Sequence, residues 1–530
     1  MNGSDRADAD HAVEQGVVSA VGVIGVATLA SRILGYARDI VIAHAFGAGP
    51  VTDAFFVAFR IPNLLRRLLA EGALSTGVVP VFSATLTRDG AAAFARMVAT
   101  VAGAALVVLS AVCALGIVLA PWIVTAMAPG WRADAALFNL AVLLTRVMFP
   151  YLLLVGLAAL AMGALNAHHR FFTAALSPVV LNAAMIAAVL GLSGRITPAI
   201  LSLAIGVLVG GLGQFLVQLP EVRRLGVPLR PAFDWSHPAV REIGRRLWPA
   251  AFSLAAVQVT VLVNTLLASL LPAGTVSYLY YADRVMEFPL GVFGIALATA
   301  ALPSMAAQAA RHDHEGLRTT IGFALRLGAF VAVPAAVGLA SLSEPIVRLL
   351  FQRGEFGAAE AVFTAQALIG YAVGLPAFSA TRIAAQTFYA LGDIRTPVYV
   401  GFVSVVANVA LAVTLMWPLG HMGLALASSL SSYVNLLGLG WILWRRRLLS
   451  GEGMGGSLGR TLGASSVLLV SCLVLDRGLA TSWRGGWFTI LALAVGALVY
   501  LAAAAALRAP ELGTLYGMLR RRTLPSRRDG

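Results

Sequence analysis

Apolar runs of about twenty residues recur from one end of this chain to the other, long enough to cross a bilayer as helices. With 59% hydrophobic and only 12% charged residues, the composition lies far from that of soluble domains, which are about one quarter charged. In hydrocarbon each backbone amide needs an internal partner, so the choice narrows to helix bundles or closed barrels. The runs are continuous rather than alternating, which excludes the barrel. The reading is an all-α polytopic membrane protein with about fourteen transmembrane helices. The expected segments are 17–46, 53–86, 93–119, 137–163, 172–192, 197–219, 246–271, 275–305, 319–341, 361–390, 397–417, 421–444, 461–480 and 487–507. Gly and Pro mark many of the ends, as in Gly47-Ala48-Gly49-Pro50 and Trp417-Pro418-Leu419-Gly420.

The net charge of +14 does not point to nucleic acid, because the arginines are spread over short loops and both tails. On this map Arg223, Arg224, Arg230, Arg445, Arg446 and Arg447 share one side with the termini, whereas Arg132, Arg195, Arg348 and Arg353 face the other. The excess on the first side places both termini in the cytoplasm. Residues 1–16 form a polar tail expected to be disordered, with no signal-peptide pattern. Cys113 and Cys472 lie inside apolar runs, so neither a disulfide framework nor a metal site is expected. No nucleotide-binding loop, HExxH or GxSxG motif is present, so no catalytic residues and no cofactor are expected.

Charge inside the spans is the anomaly. The first two carry Arg32, Arg38 and Asp39, then Asp53, Arg60, Arg66, Arg67 and Glu71. A lipid-facing arginine at mid-bilayer costs about 2.5–3.5 kcal/mol on insertion scales, so these groups face water, each other or an anion. Arg60, Asn63, Arg67 and Glu71 form one stripe at helical spacing. Two readings stand for Arg66, Arg67 and Glu71: they line a cavity, or they lie at a helix end and reach for the interface. Arg38 is either an anion ligand or the partner of Asp39. Arg146, Arg326 and Arg382 are isolated, and the plain reading is that they reach for the interface. The eighth segment repeats the theme, with Asp283, Arg284 and Glu287.

An internal repeat accounts for the recurrence. Ala73–Pro80 (ALSTGVVP) aligns with Ala296–Pro303 (ALATAALP), and Asn182 with Asn408 at nearly the same offset. Two pseudo-symmetric six-helix lobes are expected, 17–219 and 246–446, joined by a polar linker at 220–245. Two further helices at 461–507 and a basic tail at 508–530 follow. In this arrangement the charged faces of the second and eighth spans meet across one cavity rich in arginine, suited to phosphate through the guanidinium fork.

The stretches SRILGYARD, TDAFFVAFRIPNLLRRLLAEGALS, FPYLLLVGLAALAMGALNA, YYADRVMEFPLGVFGIAL and FQRGEF resemble the MurJ (MviN) family of lipid II flippases. The likeness covers about residues 17–450. It implies the fold of the multidrug/oligosaccharidyl-lipid/polysaccharide exporter superfamily and alternating access in the bacterial inner membrane. It implies lipid II, an undecaprenyl-diphosphate-linked peptidoglycan precursor, as substrate, with membrane lipids and the cell-wall synthesis machinery as partners. By motif, Arg32, Arg38, Arg66 and Arg284 would hold the diphosphate. Asp53 and Glu287 would be supporting or gating acids, joined by Asn63 and Glu71 of the polar stripe, and residues 461–507 would form a groove for the lipid tail. His44 stands where some relatives carry a basic residue. Spans seven, eleven and twelve hold no acid, so the sodium site of some relatives is not expected. A rival reading is an ion-coupled exporter of drugs or of another polyprenyl-linked oligosaccharide. A drug exporter would call for an acidic or aromatic cavity.

Overall fold

The computed structural model describes residues 27–67, 77–228, 230–449, 453–478 and 486–513. Among these the secondary structure is helical throughout, without strands. By density of internal contacts the chain divides into two compact units. One is Met1–Val276 with Arg353–Phe356, the other Ser277–Gln352 with Gly357–Gly530.

In the first unit, α1 covers residues 27–46 and α2 covers Pro50–Arg66. Pro50 opens α2 where an amide would be orphaned anyway, and Asp53 lies in its first turn, at the positive end of the helix dipole. Helix α3 (Val79–Met127) is two helices meeting at Gly90, whose φ of 78° belongs to the left-handed region that glycine tolerates. Asp134 caps α4 (Ala135–Met148) by accepting from the Leu137 amide. Then come α5 (Tyr151–Ala167), α6 (Phe172–Leu192), α7 (Leu201–Arg224) and α8 (Pro238–Ala268). One core cluster joins Phe82, Phe94 and Met97 of α3 to Leu165, Val222 and Ile243 from α5, α7 and α8.

In the second unit, α9 (Thr275–Pro289) runs through a wide π-helical turn, Leu290–Ile295, into α10 (Ala296–Ala310). Pro289 has no amide to give the preceding turn, which favours this local change of helix type. Then follow α11 (His314–Ser341), α12 (Ser343–Phe351), α13 (Ala358–Ala372) and α14 (Leu375–Ala390). Helix α15 (Arg395–Arg445) is again two helices, broken at Gly420. The last are α16 (Met454–Gly478) and α17 (Gly486–Ala506).

Breaks in the helices release carbonyls, and neighbouring side chains take them. The 42° bend between α13 and α14 leaves the Gly370 and Val373 carbonyls to the Ser429 hydroxyl at 2.6 Å and the Tyr433 hydroxyl at 2.9 Å. Pro121 cannot serve the Ile117 carbonyl, and Arg146 Nε donates to it at 3.3 Å. Pro334 cannot serve the Phe330 carbonyl, and the Tyr500 hydroxyl donates to it at 2.6 Å. Such repairs let broken helices persist where water is absent.

The all-helical membrane architecture expected from the sequence is the one observed. Among the described residues eight helices are long and apolar enough to cross a membrane, or nine if the bent pair is one span. The helices outside that set include those the sequence loads with charge: α1 with Arg32, Arg38 and Asp39, α2 with Asp53, Arg60 and Arg66, and α9 with Asp283, Arg284 and Glu287. The segment joining α7 and α8 is shorter than the expected 220–245, because the helices reach Arg224 and begin again at Pro238. The tail at 1–16 lies outside the described residues.

Candidate functional site

The charged helices of the first unit form two settings. In α1, Arg38 and Asp39 are buried, with side chains 10% and 2% exposed. Arg38 Nη2 donates to Asp39 Oδ1 at 2.6 Å and Nε donates to the same oxygen at 2.9 Å. Its third nitrogen, Nη1, donates to Asn182 Oδ1 of α6 at 3.1 Å. Asn182 in turn donates through Nδ2 to the Ser31 carbonyl at 3.2 Å. The guanidinium is thus clamped from two helices, and the pairing with Asp39 left open by the sequence is present. Arg32, nearly two turns earlier, is exposed.

In α2, Asp53 is buried and accepts from the Gly274 amide at 2.6 Å. Arg66 is half-buried and donates from Nε to Asn63 Oδ1 at 3.0 Å, one turn back. Arg60 donates to the Val261 carbonyl of α8 at 3.3 Å. Arg67 is exposed, and Glu71 lies outside the described residues.

The second unit holds Arg284. Its Nη1 donates to Glu287 Oε2 at 2.9 Å, and both Nε and Nη2 lie 3.3 Å from the Tyr280 hydroxyl. The guanidinium carbon is 5.3 Å from the Tyr280 ring centre, a cation–π distance. Arg284 and Glu287 keep 34% and 47% of their side-chain surface exposed. The arrangement is local: Tyr280, Arg284 and Glu287 stand at i, i+4 and i+7 on one face of α9.

Two partners were not assigned from sequence. Asn182 was visible only as a repeat marker, and nothing in its spacing names Arg38. Tyr280 was readable in YYADR as the i−4 neighbour of Arg284. Among the described residues no group of three His, Cys, Asp or Glu side chains is placed to hold a metal.

In both units charge is gathered on a few helices and held by hydrogen bonds. Among solved structures the chain resembles one titled "Lipid II flippase MurJ, inward closed conformation", with a TM-score of 0.76 at 23% identity over 91% of this chain and 98% of that one. It also resembles an inward-facing multidrug resistance MATE family transporter of the MOP superfamily, with a TM-score of 0.65 at 17% identity over 79% of this chain and 94% of that one. The fold is therefore of the MurJ and MATE transporter class.

The family model for lipid II flippase MurJ matches residues 42–496. The lipid II flippase MurJ of Burkholderia cenocepacia is 40% identical over 418 residues, 77% of this chain and 80% of that protein. The probable lipid II flippase MurJ of Vibrio cholerae is 37% identical over 421 residues, 78% of this chain and 80% of that protein. The chain belongs to the MurJ family.

Proposed function

We propose that this protein is a lipid II flippase, moving the undecaprenyl-diphosphate-linked precursor of peptidoglycan from the cytoplasmic to the outer leaflet of the bacterial inner membrane. It acts as a transporter and not as an enzyme, and both termini lie in the cytoplasm. Arg32, Arg66 and Arg284 are the guanidinium donors to the diphosphate, while Arg38, expected from the family motif as a fourth, is held by Asp39 and Asn182 and serves the first unit structurally. Asp53, Asn63, Glu71 and Glu287 support or gate them. The working parts are the lobes at 17–219 and 246–446, the linker at 220–245 and a tail-binding pair at 461–507, alternating in access. The cell-wall synthesis machinery is the expected partner.

The observation that carries this reading is Arg284: an arginine one-third exposed, held by a phenol and by a carboxylate that is itself 47% exposed. A dianionic diphosphate outcompetes one monoanionic carboxylate for such a guanidinium, since bidentate charge-assisted pairs are the stronger ones. Arg32 is also exposed. Capture then neutralises positive charge that repels itself, which favours closure around the ligand. The test is complementation of a strain depleted of its own flippase, with lipid II exposure scored by an external label. Rescue by the wild type and failure of R284A at equal membrane levels is the expected result. Full rescue by R284A and R32A would refute the diphosphate assignment, and failure of the wild type would refute the flippase reading.

A further inference from the structure

The segment joining α7 to α8 is placed where the lipid-facing surface of α3 ends. Val107, Leu115, Val118 and Trp122 are exposed by 42%, 57%, 69% and 71% and share one face of α3. Gly103 lies one turn before Val107 on that face, and Arg96 one heptad before Gly103. From Gly103 to Trp122 the helix rises about 28 Å at 1.5 Å per residue, close to the roughly 30 Å of a bilayer core. The exposed apolar face between Gly103 and Trp122 is thus about as long as a bilayer core is thick.

The joining segment crosses α3 at the Gly103 end of that face. The Ala232 amide donates to the Ala99 carbonyl at 3.0 Å. A Cβ on residue 103 would overlap the Ala232 carbonyl, so glycine is what admits the crossing. The segment is pinned on both sides, since Val227, Ala239 and Ile243 are buried in the same core cluster. Between these pins Phe233 and Trp235 project outward, 61% and 51% exposed. Arg230, three residues before Phe233, is exposed, as are Arg223 and Arg224 at the end of α7 and Arg96, one turn before Ala99. The nearby acids are engaged: Glu221 accepts from the Thr173 hydroxyl at 2.6 Å, and Asp234 accepts from the amide and hydroxyl of Ser236. Those Ser236 bonds hold the Asp234 carboxyl below the usual carboxylate range.

We propose that residues 230–237 form an interfacial anchor, with Phe233 and Trp235 seated at headgroup depth and the surrounding arginines taking the phosphodiester of anionic phospholipid. Two observations select a membrane over a soluble partner. The site lies against α3 at Ala99 and Gly103, one turn from its exposed apolar face, and its exposed side chains are the aromatic-plus-arginine set that concentrates at membrane interfaces. The anchor is independent of the diphosphate site, because none of its residues belongs to that site.

The experiment uses the full chain in nanodiscs of zwitterionic lipid alone or with phosphatidylglycerol. W235C, in a C113A/C472A background, carries an environment-sensitive fluorophore. The expected result is blue-shifted emission, quenched by lipids brominated near the glycerol, and deeper with phosphatidylglycerol present. In parallel, R223Q, R224Q and R230Q each weaken retention of phosphatidylglycerol about fivefold, the equivalent of about 1 kcal/mol for a basic residue at an anionic surface. Water-like, unquenched emission in both nanodiscs overturns the proposal. So does blue-shifted emission that bromolipids do not quench, which would mean shielding by protein.

Discussion

The two units treat an arginine on a charged helix in opposite ways. Arg38 is clamped by Asp39 and by Asn182 from another helix, with a tenth of its side chain exposed. Arg284 is held by neighbours on its own helix and keeps a third of its surface open. A buried pair bonded on several sides resists exchange, because losing either partner strands a charge without water. A partly exposed pair exchanges readily, because solvent screens it and its net worth is small. Arg38 thus belongs to a fixed, charge-neutral pair, and Arg284 is built to change partners.

That contrast yields graded outcomes for purified protein. R38A leaves the Asp39 carboxylate buried without its partner and lowers unfolding stability by about 3–5 kcal/mol, read by thermal unfolding in detergent. A loss below 1 kcal/mol would break the comparison. N182L is milder, about 1–3 kcal/mol, since it removes the amide oxygen that accepts from Arg38 Nη1. D393A costs about 1 kcal/mol, the usual worth of a helix cap. Asp393 accepts from the Thr396 amide and hydroxyl and from Arg446 at the start of α15. These bonds hold its carboxyl down to about 2, the Thr396 hydroxyl first among the causes. With the folded value depressed, the contribution is complete above the unfolded value of about 4 and is lost as pH falls towards 2. The stability gap between wild type and D393N therefore closes over that window. R284A is the smallest in stability, within about 1 kcal/mol, yet abolishes complementation. An R284A protein that is badly unfolded would show that the second unit also needs its arginine for structure.

The membrane-spanning class and the charged helices were legible because hydropathy and charge are properties of single segments. The 172–192 segment coincides with α6, where no charge or glycine break interferes. The Arg284–Glu287 pair was legible because both residues share one turn of helix. The clamp on Arg38 was half legible: Asp39 is adjacent in sequence, whereas Asn182 comes from α6, five helices later, and no pattern local to either residue encodes that meeting. The repeat named Asn182 and Asn408 as counterparts, and the structure separates their roles. Asn182 serves an arginine, while Asn408 faces the hydroxyls of Ser428 and Ser431 at 3.4 and 3.5 Å. The breaks at Gly90 and Gly420 fall between expected segments, 53–86 and 93–119 in one case and 397–417 and 421–444 in the other, because a charged Arg88-Asp89-Gly90 turn and a Pro418-Leu419-Gly420 turn interrupt the apolar runs there.

The bond from Tyr500 to the Phe330 carbonyl shows how helices can be appended to a finished bundle. Every chain that uses proline inside a helix leaves an acceptor four residues upstream with nothing to receive. In α11 that vacancy is created by Pro334, and α17 arrives with the one hydroxyl that fills it. The later helix therefore fastens to main chain, which substitution cannot alter, instead of to a side chain that drift could remove. An attachment point of this kind is inherited for as long as the proline is.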